Sequence, residues 1–243
     1  MKAFAGTLCA EWAKHKKDGF WPLHLVLGLL SGVALGLYGV RVGMSPMQNM
    51  ALFLSCMAAA FPFAISLSLE VMAQGERGVR WQYNLMAPSR RVVVLAQGAW
   101  AYAAGLVAVM VAGLAFVFTV WIGAGQGMGA LFFGLTLLLW LTMLAPYAIG
   151  MTIAFACGRV VSLAVGGGAL IVAALMQTGM GDGIWPLVPY SYGGRLSQLV
   201  LAQSMGVYHG HLVRACLFVA VVSCGIMVAM VILLTHDNKP NLR

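Results

Sequence analysis

Apolar runs bounded by charge, glycine or proline divide the chain into six stretches: Phe20–Val40, Asn49–Ala73, Val92–Gly123, Gly129–Cys157, Val160–Gly181 and His211–Thr235. Each has roughly 20 or more residues, the length at which an α-helix crosses a hydrocarbon core about 30 Å thick. The third and fourth are longer than a crossing needs, which predicts tilt, kinks or ends outside the bilayer. Pro62 and Pro146 fall inside the second and fourth. Each lacks an N–H and crowds the carbonyl four residues earlier, so each predicts a kink. The longest polar connection, Asp182–Gly210, has 29 residues and is half apolar, so no soluble domain fits. The pattern predicts an all-α membrane protein forming one domain over residues 1–243, with an interfacial helix at 1–19, six spans within 20–235 and a tail at 236–243.

Composition sharpens this reading. Hydrophobic residues make up 62% and charged residues 8%, against about 25% charged in a soluble domain. That is too little charge to coat a water-facing surface, so ordinary soluble enzymes and intrinsic disorder are excluded. Lys14, His15, Lys16 and Lys17 before an apolar run resemble a signal peptide. The run is too long for one, however, and no small-residue cleavage site follows, so the first span is expected to be a true helix. Five scattered cysteines form no C-x-x-C pair and read as small membrane-buried residues.

The net charge of +8 has a topological meaning. With the N-terminus inside, Lys2, Lys14, Lys16, Lys17, Arg77, Arg80, Arg90, Arg91, Arg159, Lys239 and Arg243 fall on the inner side. Arg41, Arg195 and Arg214 fall outside. Cytoplasmic segments are enriched in Lys and Arg, so both termini are expected in the cytoplasm, with anionic inner-leaflet lipid as a further partner for the charge.

The segments between spans carry most of the functional signal. Phe4, Leu8 and Trp12 recur at i, i+4 and i+8, opposite Lys14 and Lys17. This is either one apolar stripe of a helix lying in the inner interface or a plain basic flank. Gln74–Arg91 combines Glu76, Arg77, Arg80, Arg90 and Arg91 with Trp81 and Tyr83, and ends at Pro88 before a new span. It reads as a short amphipathic helix suited to a cytosolic partner, or as a loop on lipid headgroups. Glu70 sits near the inner end of the second span, where a structural or coupling role fits better than proton transfer. In the outer connection, Trp185, Pro186, Pro189, Tyr190 and Tyr192 predict short helices at the outer interface. The spacing of Leu196, Leu199, Val200 and Gln203 supports one of them. His209 and His211 lack an acidic or cysteine neighbour that would make a metal site. Gly28, Gly32 and Gly36 on the first span, and Gly166 and Gly167 on the fifth, mark faces for close helix packing.

The usual catalytic signatures are missing. There is no P-loop, no H-E-x-x-H and no G-x-S-x-G, so neither ATP binding by a P-loop nor metallo- or serine-hydrolase chemistry is expected of this chain.

Three stretches resemble the permease subunits of lantibiotic-immunity ABC transporters, within the six-helix ABC-2 class. The first is CAEWAKHKKDGFWPLH, with Glu11, Lys14 and Lys16 ahead of the first span. The second is SLEVMAQGERGVRWQYNLMAPSRRVVVLAQ, where Glu76, Trp81, Leu85, Pro88 and Arg90 follow the family's order of acidic residue, aromatic, Leu, Pro and basic pair. The third is the aromatic, proline-bearing outer loop. Asp18-Gly19 departs from the usual basic-then-Ser junction. The resemblance implies an ABC-2 permease fold over the whole chain, without enzymatic activity of its own. Two copies of a soluble P-loop ATPase would hold the ATP and Mg, and a second permease, related but non-identical, would complete the transporter. Glu11, Lys14, Glu70, Gln74, Glu76, Arg77, Trp81, Leu85, Pro88 and Arg90 would couple the chain to the ATPase. Gly28, Gly32, Gly36, Gly166 and Gly167 would face the other permease. The cargo would be an amphipathic antimicrobial peptide expelled at the plasma membrane of a bacterium, giving immunity or resistance. Three alternatives remain open: another ABC-2 cargo such as a lipid, glycan or drug; a six-span substrate-capture subunit with Trp185, Tyr190 and Tyr192 at its outer pocket; and a structural or regulatory membrane scaffold without nucleotide-dependent behaviour.

Overall fold

The computed structural model describes residues 2–16, 19–78, 89–207 and 210–236, all helical or in short connections, with no strand among them. In chain order the helices are α1 (Lys2–His15), α2 (Phe20–Val42), α3 (Pro46–Gly78), α4 (Arg90–Ala124), α5 (Ala130–Leu141), α6 (Leu144–Cys157), α7 (Arg159–Leu175), α8 (Tyr192–Ser204) and α9 (Leu212–His236). Five helical segments are long and apolar enough to cross a membrane: α2, α3, α4, the continuous pair α5–α6, and α9. The chain is therefore a multi-pass helical membrane protein by length and composition. The predicted span Val160–Gly181 is represented by α7, a shorter apolar helix of 17 residues.

Close contacts define the directions of the helices. Gly28, Gly32 and Gly36 of α2 meet Ala108, Ala112 and Phe116–Thr119 of α4 in register, so α2 and α4 run parallel. Their backbones approach so closely that a Cβ at Gly28 would lie 2.5 Å from the Ala108 carbonyl oxygen. His24 reaches Ser68, and Gly39 abuts Asn49, which sets α3 antiparallel to α2. Gly166 packs on Ser66 and Gln177 bonds the Ser55 carbonyl, so α7 runs antiparallel to α3 along its apolar length. The core joins Phe53, Phe116 and Phe132 from three helices with Leu69, Leu135, Leu139 and Met151.

Pro146 lies in the first turn of α6, and the helix breaks at Thr142–Met143, where the proline ring crowds the Thr142 carbonyl. Pro62 is accommodated inside an unbroken α3. α6 and α7 are separated by Gly158 alone, at φ 82° and ψ −179°. That backbone conformation belongs almost exclusively to glycine, and it reverses the chain in one residue.

Candidate functional site

At the end of the bundle where α1 lies, three carboxylates are buried. Glu11 of α1 and Glu70 and Glu76 of α3 are each 2–3% exposed. Ionised carboxylates persist in such places only when paired and hydrogen-bonded. Here, Lys14 Nζ donates to Glu11 Oε1 at 2.9 Å and also to Glu76 Oε1. Gln97 Nε2 of α4 donates to the same Glu76 oxygen at 2.9 Å. His15 Nε2 stands 3.5 Å from Glu11 Oε2. Arg77 pairs with Glu70 and donates at 3.0 Å to the Ala154 carbonyl near the end of α6. One charged cluster thus ties α1 to the end of α3 and the start of α4, and a neighbouring pair ties the same end of α3 to α6.

Burial by itself pushes the Glu11 carboxyl up, but hydrogen bonds and charge from His15 and Lys14 outweigh it and hold the group below its ordinary range. For Lys14, burial favours the neutral amine. The hydrogen bonds and charges of Glu76 and Glu11 prevail, so its value is raised. Glu70 Oε2 and Glu76 Oε2 are buried without a hydrogen-bond partner among the described residues. Beside the cluster, Trp12, Trp21 and Trp100 meet edge to face, with ring centroids 5.6–5.9 Å apart. This is the geometry in which aromatic pairs add to area burial.

The apolar stripe of α1 is not the face turned into the bundle. Phe4 and Leu8 are half-buried, but the residues turned fully into the bundle are Glu11 and His15, while Trp12 is 51% exposed. Lys14 is half-buried rather than on an outer polar face, because its partner Glu76 lies inside. Of the predicted coupling residues, Glu11, Lys14, Glu70, Glu76 and Arg77 come together here, whereas Gln74 and Arg90 are exposed. Trp81, Leu85 and Pro88 lie outside the described residues, as do Lys17, Arg80, Tyr83, His209, Lys239 and Arg243. Residues 74–78 continue α3, so they do not begin a separate amphipathic helix.

The glycine prediction also changes. Gly28, Gly32 and Gly36 are filled by α4 of the same chain, and Gly166 by Ser66 of α3, so these residues pack helices within one molecule and offer no face to a second permease. Gly167 has open space beside it.

At the opposite end, the aromatic connection folds into a cap. Tyr192 is fully buried, and its hydroxyl donates to the Pro186 carbonyl at 2.9 Å. Ser191 Oγ donates to the Trp185 carbonyl at 2.8 Å, while Trp185, Pro186, Pro189 and Tyr190 are half-buried. Arg195 bonds the Met176 and Thr178 carbonyls and pairs with Asp182 at 2.9 Å, closing the end of α7. Leu196 and Leu201 are the buried face of α8. Asn49, Gln126 and the Met44 carbonyl close the same end with neutral hydrogen bonds of 3.0–3.2 Å.

His15, Gln97 and the His24–Ser68 pair were missed as functional positions. Gln97 carried a signal, as a lone amide in an apolar run. Among the described residues, no group of three or more His, Cys, Asp or Glu is placed to hold a metal ion. No protein-family model matches the chain, and no curated protein is significantly similar to it.

Proposed function

We propose that the chain is the permease subunit of an ABC-2 type transporter that expels lantibiotic or similar amphipathic peptides from a bacterial plasma membrane. The observation that carries the reading is the charged cluster joining α1, the end of α3 and the start of α4. It gathers α1 and the residues leading into 79–88 at one end of the bundle, which supports the reading because a cytosolic ATPase would engage them together there. Glu11 and Glu76 act as positioning residues that hold α1 against α3 through Lys14, and Gln74 stands exposed beside them. Two partner ATPase copies supply ATP hydrolysis with Mg, and a second permease completes the membrane unit. In this reading α7 is the sixth crossing, supported by its antiparallel course along α3, and both termini are cytoplasmic. Nucleotide can shift the bundle only if it binds the two states with different affinity.

Mild-detergent affinity purification from native membranes, with mass spectrometry of the associated proteins, tests the proposal. A stoichiometric P-loop ATPase is expected, together with a second six-span protein. An intact complex lacking any ATPase overturns the reading. Glu76→Ala is expected to lower coupled ATPase activity with membrane insertion unchanged, and full activity in that variant would remove the coupling role assigned to this end.

A further inference from the structure

A cavity of about 220 Å³ lies between α2, α3, α4 and α6, with Leu170 of α7 also in its wall. Its wall follows α2 from Leu23 to Ser31 and α3 from Met57 to Ser68. At 1.5 Å rise per residue these walls are about 12 and 17 Å long, so the cavity is an elongated slot with its small volume spread along them. A helix with its side chains is about 10–12 Å across, so the slot admits one unbranched chain and no peptide helix. The lining is apolar except for four side chains, and the protein itself satisfies three of them. Ser68 Oγ donates to His24 Nε2 at 2.9 Å, since His24 Nδ1 already donates to the Phe20 carbonyl at 2.8 Å. Ser31 donates to the Gly28 carbonyl at 3.0 Å. The fourth is the Tyr147 hydroxyl, which by itself offers fewer than the two to four polar partners a buried water takes. Apolar cavities on the order of 150 Å³ stay dry and take apolar guests.

The mouth carries Leu27 and Phe63, which are 39% and 38% exposed, on the flank of the bundle rather than at either end. α2 is drawn onto α4 by its glycine stripe, while α3 is held by α6 and α7. His24–Ser68 and Gly39–Asn49 bridge α2 and α3 near their two ends. We propose that this slot binds one acyl chain of a membrane lipid, inserted sideways between α2 and α3. Width, dryness and a lateral mouth on spanning helices all select a hydrocarbon chain, and none of them depends on the transporter reading.

The test uses the full chain in phosphatidylcholine vesicles, with part of the phosphatidylcholine carrying a mid-chain diazirine, and peptide mapping after irradiation. Met57 and Ile65 line the slot and are at most 9% exposed, so chains outside the protein cannot reach them, whereas Leu114 faces outward at 55%. Adducts are expected on Met57 and Ile65 as well as on Leu114. Ala64→Phe fills the slot and is expected to cut the Met57 and Ile65 adducts about tenfold, the change that about 1.4 kcal/mol produces, with Leu114 unchanged. Ala60→Trp at the mouth is expected to do the same should Ala64→Phe not fold. Labelling of Leu114 with none on Met57 and Ile65 overturns the proposal, and so does slot labelling that survives a folded blocking variant.

Discussion

α1 and α2 both lie against α4, and opposite chemistries hold them there. α2 uses Gly28, Gly32 and Gly36, with backbone against backbone and no charged group in the seam. α1 meets α4 through Trp12 on Trp100, and its ionic hold is Lys14 on Glu76 of α3, which also accepts from Gln97 of α4. A seam of small residues gains from close packing, which salt, pH and foreign charge leave untouched. An ionic seam is held by groups that water or another protein's charges can also satisfy. α2 is thus the more firmly seated element, and α1 the one whose contacts pH and salt can loosen.

Breaking the dry seam is expected to have the largest effect. In Gly32→Val the new side chain meets the Ala112 carbonyl, a backbone atom that cannot rotate away. A loss of about 3 kcal/mol, the upper end for overpacking, is expected, read as loss of the monodisperse peak in a thermal size-exclusion series. Glu76→Ala comes next. It removes one carboxylate from Lys14 and frees the Gln97 amide, and about 2 kcal/mol is expected after discounting the quarter of Lys14 that faces solvent. The loss is local, so protease should gain access to α1 while the spans stay intact. Equal destabilisation of the whole bundle would erase the distinction between the two seams.

The ionic seam also has a pH window. The lowered Glu11 value favours the docked state above the ordinary carboxylate range, and this contribution disappears as pH falls through that lowered value. The raised Lys14 value contributes below the ordinary lysine range and is lost as pH rises through it. Docking should therefore hold across neutral pH and weaken at both extremes, followed by fluorescence of the tryptophan cluster with a Trp12→Phe control. The smallest effect is expected for Trp12→Ala, about 1 kcal/mol from lost edge-to-face contacts. It should loosen α1 without changing the acid and base limits of its release.

Much of this architecture can be read from local pattern. α2, α4 and α9 fall close to the apolar runs that predicted them, and α8 follows the spacing of Leu196, Leu199 and Val200. α3 runs past Ala73 to Gly78 because Glu70 and Glu76 find partners that let the helix continue. Those partners lie far away along the chain: Lys14 is 62 residues from Glu76, and His24 is 44 from Ser68. Periodicity cannot report such pairings, which is why the inward face of α1, with Glu11 and His15, was not foreseen. A glycine stripe likewise signals close approach without saying whether the neighbour belongs to the same molecule.

Gly158 carries a consequence out of proportion to its size. At any other residue the favoured right-handed helical conformation would fuse α6 and α7 into one rod from Leu144 to Leu175. A rod keeps one heading where the hairpin turns back along α3. Everything downstream, including the Arg195 clamp, the Tyr192 cap and α9, would then lead away from the bundle instead of folding back onto it. The backbone of one residue thus decides where the last third of the polypeptide packs.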